Sequence, residues 1–429
     1  MERQVIASPS RDLAILSRLR LQLAVLWLVA VLLPGAYVYA GFITAESYQA
    51  IFNSVVAATL ACFVGLISLR RVNAFPGVRS YAFILPSLAV AYGVALVLIF
   101  GLRLAYSRSV LTASFVLAVL TTFALIYVAD RWTKLLLFIV PGGDAISLKE
   151  VSGVDCKIMN NSTLPESNTS IIVADFRHSH DGEWERVLAR AAIRGMWVYH
   201  SKLIMESLTG KVNIEHLSEN NFGSLLPNMA YSKFKRISDI ILCIISIPLL
   251  FIPMAAMAIL IKLDSDGPVI FRQSRVGYRG ETFEMFKFRT MRPREVAADE
   301  NARIQDAMTK SDDDRITRIG RFLRRTRLDE LPQILNILRG EMSWIGPRPE
   351  AVPLSKWYEQ EIPFYSYRHI IRPGISGWAQ VHQGHVTDLD SINEKLAYDF
   401  YYVKYFSAWL DIVIALRTIP TMIGGFGAR

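Results

Sequence analysis

The chain holds only three cysteines in 429 residues, Cys62, Cys156 and Cys243, and they are scattered. Two of them lie in apolar runs, so neither a disulfide framework nor a zinc site is expected. A full GxGxxG fingerprint is missing: Pro141-Gly142-Gly143 follows a strand-like segment but lacks the spacing of a dinucleotide-binding turn. The first apolar run is long and has no small-residue cleavage site after it, which argues against a removed leader. Charge is absent from four stretches, Leu23–Phe42, Ile51–Leu69, Tyr81–Gly101 and Val110–Ala129, and they form no internal repeat. A transporter would want polar residues inside several spans and repeated halves, so that class is disfavoured.

What is present points to a membrane. Hydrophobic residues make up 52% of the chain, and the mean hydropathy is +0.29. Each uncharged stretch can cross a hydrocarbon core of about 30 Å at about 1.5 Å per residue. Arg3, Arg11, Arg18 and Arg20 precede the first stretch, and Arg70, Arg71 and Arg79 follow the second. The first loop carries Glu46 alone, whereas the third carries Arg103 and Arg108. The balance puts both ends of this block inside, so the chain after Ala129 starts in the cytoplasm. A net charge of +9 suits membrane lipids with anionic headgroups and phosphorylated ligands. No nucleic-acid motif accompanies it, and nucleic acid is not an expected partner.

Three domains are expected: a transmembrane block over 1–130, a small α/β domain over 131–225, and a third domain over 233–429. In the second, Leu135–Val140, Asp155–Met159, Ser170–Asp175 and Met196–His200 read as short buried strands, and Trp184–Arg194 as an amphipathic helix. The third opens on Ile237–Ile261, whose only charge is Asp239. Lys233, Lys235 and Arg236 precede this run, and Lys262, Arg272, Arg275 and Arg279 follow it. Positive charge on both flanks conflicts with a simple crossing, and Pro248 and Pro253 each favour a kink. A re-entrant helix broken at Pro248 and Pro253 satisfies all three facts; a kinked fifth span is the alternative.

Beyond it, Val269–Arg275 and Thr282–Arg289 alternate around Gly277-Tyr278-Arg279-Gly280, a hairpin pattern with Phe286 and Phe288 on one side and Lys287 and Arg289 on the other. Residues 293–315 are polar and read as a mobile segment or surface helix. Tyr401–Met422 reads as one amphipathic helix at the interface, ended or bent by Pro420. His382 and His385 lie close together but lack a third ligand, so no metal site is expected there.

The chemistry gathers at Asp329-Glu330, inside Arg324-Arg325-Thr326-Arg327-Leu328-Asp329-Glu330-Leu331-Pro332-Gln333. A helix is expected to begin there, with Pro332 in its first turn, an apolar face of Leu331, Ile334, Leu335 and Leu338, and a stop at Gly340. Both carboxylates would then sit at its positive end, with nearby arginines keeping them ionised. An ionised aspartate can attack phosphorus and form an acyl phosphate. Glu330 is a hard oxygen ligand suited to magnesium. Arg348, between Pro347 and Pro349, presents a guanidinium fork that matches phosphate geometry. Taken alone, an Asp-Glu pair is also a common helix cap.

Lys235-Arg236-Ile237-Ser238-Asp239, Met285–Met291, Leu328–Gln333, Gly346–Pro349 and Arg372–Val381 occur in order, and from Lys235 onward the chain resembles the bacterial polyprenyl-phosphate sugar-1-phosphate transferases, the monotopic phosphoglycosyl transferase superfamily. The preceding spans and α/β domain resemble its long form. The resemblance implies a membrane α-helical plus α/β fold: four transmembrane helices, a cytoplasmic Rossmann-like domain and an α+β catalytic domain with a re-entrant helix. It implies a bacterial inner-membrane enzyme with its catalytic domain on the cytoplasmic face. Asp329 would attack a nucleoside diphosphate sugar, such as a UDP-sugar, and pass the sugar phosphate to undecaprenyl phosphate. That reaction primes exopolysaccharide, capsule or O-antigen synthesis. Glu330 would help hold Mg2+, and Lys287, Arg289, Arg324 and Arg348 would contact substrate phosphates. A homodimer is a further expectation; a non-catalytic scaffold is the alternative. Two departures from the family pattern stand out: Ile252-Pro253 replaces a common Ser-Pro, and His382-Gln383-Gly384-His385 replaces Asn-Gly and an arginine.

Overall fold

A computed structural model describes residues 18–41, 47–72, 80–132, 136–151, 154–165, 170–213, 227, 229–292, 315–383 and 389–423. The expectations for 293–314 and for His385 fall outside them. The chain forms two compact units, Met1–Gly210 and Lys211–Arg429.

The first unit begins with four long apolar helices, α1 (Leu19–Tyr39), α2 (Tyr48–Val72), α3 (Ser80–Gly101) and α4 (Arg108–Trp132). Small residues let them approach: Ala30, Ala58 and Ala118 are fully buried, and a Cβ on Gly65 would lie 2.7 Å from Leu88. Polar side chains bond across the helices, with Tyr92 Oη 2.6 Å from Ser114 Oγ and Arg70 donating to Gln22 at 3.0 Å. Large apolar groups such as Leu60, Val90, Val97 and Leu120 face outward, as helices in lipid require.

A four-stranded parallel sheet follows, ordered β2-β1-β3-β4: β1 (Leu136–Ile139), β2 (Asp155–Ile158), β3 (Ile171–Ala174) and β4 (Trp197–His200). All four strands fall where their apolar runs predicted, as does helix α5 (Gly182–Ile193). Helix α6 (Ser201–Thr209) closes the unit and packs Ile204 beside Leu137 and Ile171.

The second unit is organised by α7 (Met229–Asp264), a 36-residue helix that runs on through Pro248 and Pro253, although each proline removes one backbone donor. With it, five helices among the described residues are long and apolar enough to cross a membrane. Along one stripe of α7, Cys243 and Leu250 pack on Phe283, Met285 and Ile334, while Met254, Met257 and Ile261 pack on Phe288 and Leu323. The stripe repeats at seven, four, three and four residues, the spacing of a helix seam held against a partner. Elsewhere α7 exposes Leu249, Phe251, Ile252 and Leu263.

The expected hairpin forms from β5 (Ile270–Val276) and β6 (Thr282–Phe288). Helix α8 (Arg318–Thr326), capped by the Thr317 hydroxyl on Gly320 N at 2.9 Å, leads to the acidic pair. That pair lies in a 3-10 turn, Leu328–Gln333, rather than in an α-helix; α9 (Ile334–Arg339) begins after it. Pro332, lacking an N–H, is accommodated in the turn, and Gly340 stops α9 at φ +86°. Leu335 is exposed instead of facing the core, because Ile334 and Ile337 occupy the packed side.

Strands β7 (Ser343–Ile345) and β8 (Gly374–Ser376) pair in parallel, bringing two distant motifs together. A Cβ on Gly346 would lie 2.3 Å from the Arg372 carbonyl, so the approach requires glycine. Helices α10 (Val352–Glu361) and α11 (Trp378–His382) complete this region. The stretch Tyr401–Met422 is two helices rather than one: α12 (Leu389–Lys404) and α13 (Ala408–Ile423). Ser407 starts the second, its hydroxyl accepting from Leu410 N at 3.4 Å and its carbonyl from Asp411 N at 3.1 Å. Helix α13 continues through Pro420 and buries Leu410, Val413 and Ile414.

Candidate active site

Arg327, at φ +59°, turns the chain out of α8 and swings Asp329 and Glu330 inward, where both are buried. Glu330 Oε1 then receives three cations. Arg348 Nη2 donates to it at 2.9 Å, Arg327 Nη1 lies 3.5 Å away, and Lys287 Nζ lies 3.8 Å away. Lys287 comes from β6 and Arg348 from the Gly346–Pro349 turn, so three separate segments converge on one carboxylate. Asp329 Oδ1 is buried without a hydrogen-bond partner.

Burial alone would raise Glu330, but Arg348 and Lys287 outweigh it and hold the carboxylate at about 2. Asp329 moves the other way: burial, then the neighbouring Glu330 charge, lifts it above the ordinary carboxylate range. The cations therefore secure one carboxylate while its neighbour stays the more basic. Lys287 is lowered to about 8, first by burial and then by Arg348.

The other expected residues are placed differently. Arg324 lies in the last turn of α8, and it is Arg327 that reaches Glu330. Arg289 closes the end of α7, donating to the Ser265 carbonyl at 2.6 Å and to its hydroxyl at 3.0 Å. Gly267 makes room for it, since a Cβ there would lie 2.2 Å from Arg289 Nη1. Pro248 and Pro253 lie within α7. His382 donates from Nδ1 to the Trp378 carbonyl at 2.8 Å, and Arg417 donates to its Nε2, which leaves no nitrogen for a metal.

The opening motif of α7 ties the helix to the catalytic core. Lys235 Nζ meets Asp411 Oδ2 at 2.5 Å, Arg236 donates to the Leu338 carbonyl at 2.8 Å, and Trp344 Nε1 donates to the Asp239 carbonyl at 3.3 Å.

A second network, behind Arg348, is not evident in the sequence. Glu350 pairs with Lys395 and lies 4.0 Å from both Arg275 and Arg368. Arg368 also binds Asp399 at 2.7 Å and the Arg348 carbonyl at 2.8 Å, while Arg275 donates to the Pro349 carbonyl at 2.8 Å. The turn that presents Arg348 is thus held from behind on both sides. Only the position of Glu350, next to Gly346–Pro349, could have hinted at this.

Residues 230–425 match the bacterial sugar transferase family. The chain is 43% identical, over 88% of its length and 88% of the relative's, to UDP-N-acetylgalactosamine-undecaprenyl-phosphate N-acetylgalactosaminephosphotransferase of Aeromonas hydrophila. It belongs to the polyprenyl-phosphate sugar-1-phosphate transferases. A second relative of this transferase, UDP-glucose:undecaprenyl-phosphate glucose-1-phosphate transferase of Xanthomonas campestris pv. campestris, is 46% identical over 44% of this chain and 39% of its own. A third, the enzyme of the same name from Caulobacter vibrioides, is 41% identical over 47% of this chain and 74% of its own. The enzyme is a membrane-associated transferase of this class, and its Glu330 cluster lies inside the family match.

Proposed function

We propose that the transferase moves a sugar 1-phosphate from a UDP-sugar to undecaprenyl phosphate through a covalent intermediate on Asp329. The observation that carries this reading is the Asp329 carboxylate itself: buried, more basic than usual, with an oxygen that no protein group engages. Asp329 attacks the β-phosphorus, the bond to the nucleoside monophosphate breaks, and that group leaves with the electron pair. A phosphate oxygen of the polyprenyl acceptor then attacks the same phosphorus and releases the Asp329 carboxylate. Arg348, Arg327 and Lys287 offset the charge that develops on the phosphoryl oxygens. Lys287, Arg327 and Arg348 all lie at Glu330 Oε1, so the other Glu330 oxygen would help hold Mg2+ as a hard donor, which leaves the Asp329 oxygen for attack. When bound, the cation supplies further charge neutralisation. Arg289 is left out of the phosphate set because its guanidinium caps α7.

The same proposal covers the membrane path. Packing contacts run from Cys243 to Ile261, about 27 Å of helix at 1.5 Å per residue, against the catalytic core. That is nearly a whole bilayer core of about 30 Å. Packing along this stripe supports α7 staying with the catalytic core, bent at Pro248 and Pro253 so that it enters and leaves on the cytoplasmic face, with α1 to α4 as the crossing helices. The boundaries 1–130, 131–225 and 233–429 belong to this reading.

The test is release of UMP from a panel of UDP-sugars by purified enzyme with undecaprenyl phosphate and Mg2+. UDP-N-acetylgalactosamine comes first, because the relative matched over 88% of both chains is named for it. Release by wild type and none by Asp329→Asn is expected; equal release by both would overturn the assignment of Asp329.

A further inference from the structure

Helix α8 separates its residues cleanly. Leu323 is fully buried against Ile261 and Phe288, Ile319 packs in the same cluster, and Ile319 N donates to Asp264 at 3.3 Å. The helix is thereby fixed to the last turns of α7. Its opposite face carries Arg318, Arg321 and Arg325, all exposed, with Phe322 beside them 51% exposed. Among the described residues, no carboxylate lies within ion-pair distance of these three guanidinium groups. The neighbouring part of α7 exposes Ile259, Leu260 and Leu263. An arginine row, an outward aromatic ring and an adjoining apolar helix face form the pattern of a segment lying at a membrane interface.

We infer that α8 docks on anionic phospholipid headgroups, through Arg318, Arg321 and Arg325, with Phe322 entering the interface. Charge complementarity selects the partner, since arginines near an anionic leaflet are attracted within about one Debye length, roughly 8 Å at physiological salt. Three residues after α8 comes Asp329, so the docked helix sets the depth at which the acidic pair meets the bilayer. The inference rests on α7 lying in the membrane and goes beyond it, because it makes the seating of the site depend on lipid charge.

The test places a nitroxide at Phe322→Cys, and separately at Ile252→Cys, in the full-length enzyme with its native cysteines replaced by serine or alanine. The proteins are held in nanodiscs without polyprenyl phosphate, of either pure phosphatidylcholine or 30% phosphatidylglycerol. Power-saturation EPR compares collisions with oxygen and with a water-soluble nickel chelate. In the anionic discs residue 322 is expected to favour oxygen. That preference is lost in pure phosphatidylcholine and in the Arg318→Gln, Arg321→Gln, Arg325→Gln triple variant. A water-exposed 322 in anionic discs overturns the inference, as does equal immersion in all three samples. Ile252→Cys separates the causes: water exposure there would mean that the reading of α7 has failed instead.

Discussion

Two carboxylates in the catalytic unit each face three cations, yet they are built for different ends. Glu330 meets Lys287, Arg327 and Arg348, whose side chains remain 15%, 31% and 22% exposed. Glu350 meets Lys395, Arg275 and Arg368, and the last is 2% exposed and also held by Asp399. Arg275 and Arg368 also donate to the carbonyls of Pro349 and Arg348, and to Gln273 and the Tyr365 hydroxyl respectively. The second cluster is closed on itself and shapes a turn. Each cluster has a buried carboxylate oxygen without a hydrogen-bond partner beside it, Asp329 Oδ1 in the first and Asp399 Oδ1 in the second, but only Asp329 sits next to the three more accessible cations. Composition is nearly the same in both; what differs is the fully buried Arg368, held by Asp399 and by the backbone carbonyl of Arg348, against the more open arginines of the first cluster.

Several substitutions would sharpen or break this contrast. The largest effect expected is from Asp329→Asn, which should lower kcat by at least about 10³-fold while leaving the melting temperature nearly unchanged, because it removes a nucleophile and no ion-pair partner. Next comes Arg368→Ala. Removing one member of a buried ion network costs about 3–5 kcal/mol, so its thermal midpoint in detergent should fall sharply. Arg348→Lys should lower kcat/KM about 10- to 100-fold with a modest change in melting, since a point charge replaces a bidentate fork. Should Arg348→Lys unfold the protein and Arg368→Ala leave it stable, the roles assigned to the two clusters would be reversed.

The smallest effect is a shift in pH dependence. In the proposed reaction Asp329 works without its proton and Lys287 with its own. The kcat/KM profile should therefore rise as pH climbs through the raised Asp329 value and fall again near about 8. Lys287→Arg should move the alkaline limb upward and leave the acid limb in place; an unmoved alkaline limb would remove Lys287 from the reaction centre.

Much of this was legible in the chain. The four parallel strands follow from short apolar runs and the hairpin from two-residue alternation around glycines. Glu330 and Arg348 stood out as charge beside proline and turn residues, whereas Lys287 was singled out only by the family resemblance. The sign at Asp329 was not. The arginines upstream read as neutralising both carboxylates, but folding delivers Arg327 to Glu330 and leaves Asp329 buried beside a negative neighbour. The Glu350 cluster was hidden because its members, from Arg275 to Lys395, look like ordinary surface charge until distant segments meet. The break between α12 and α13 was missed because apolar residues run through it, and a single serine makes the cap.

The most direct measurement is intact-protein mass spectrometry of the transferase after rapid mixing with its UDP-sugar and Mg2+, without polyprenyl acceptor. A mass increase of one sugar phosphate is expected, absent in Asp329→Asn and discharged when undecaprenyl phosphate is added. Turnover by wild type with no adduct at any quench time, or the same adduct on Asp329→Asn, would contradict it.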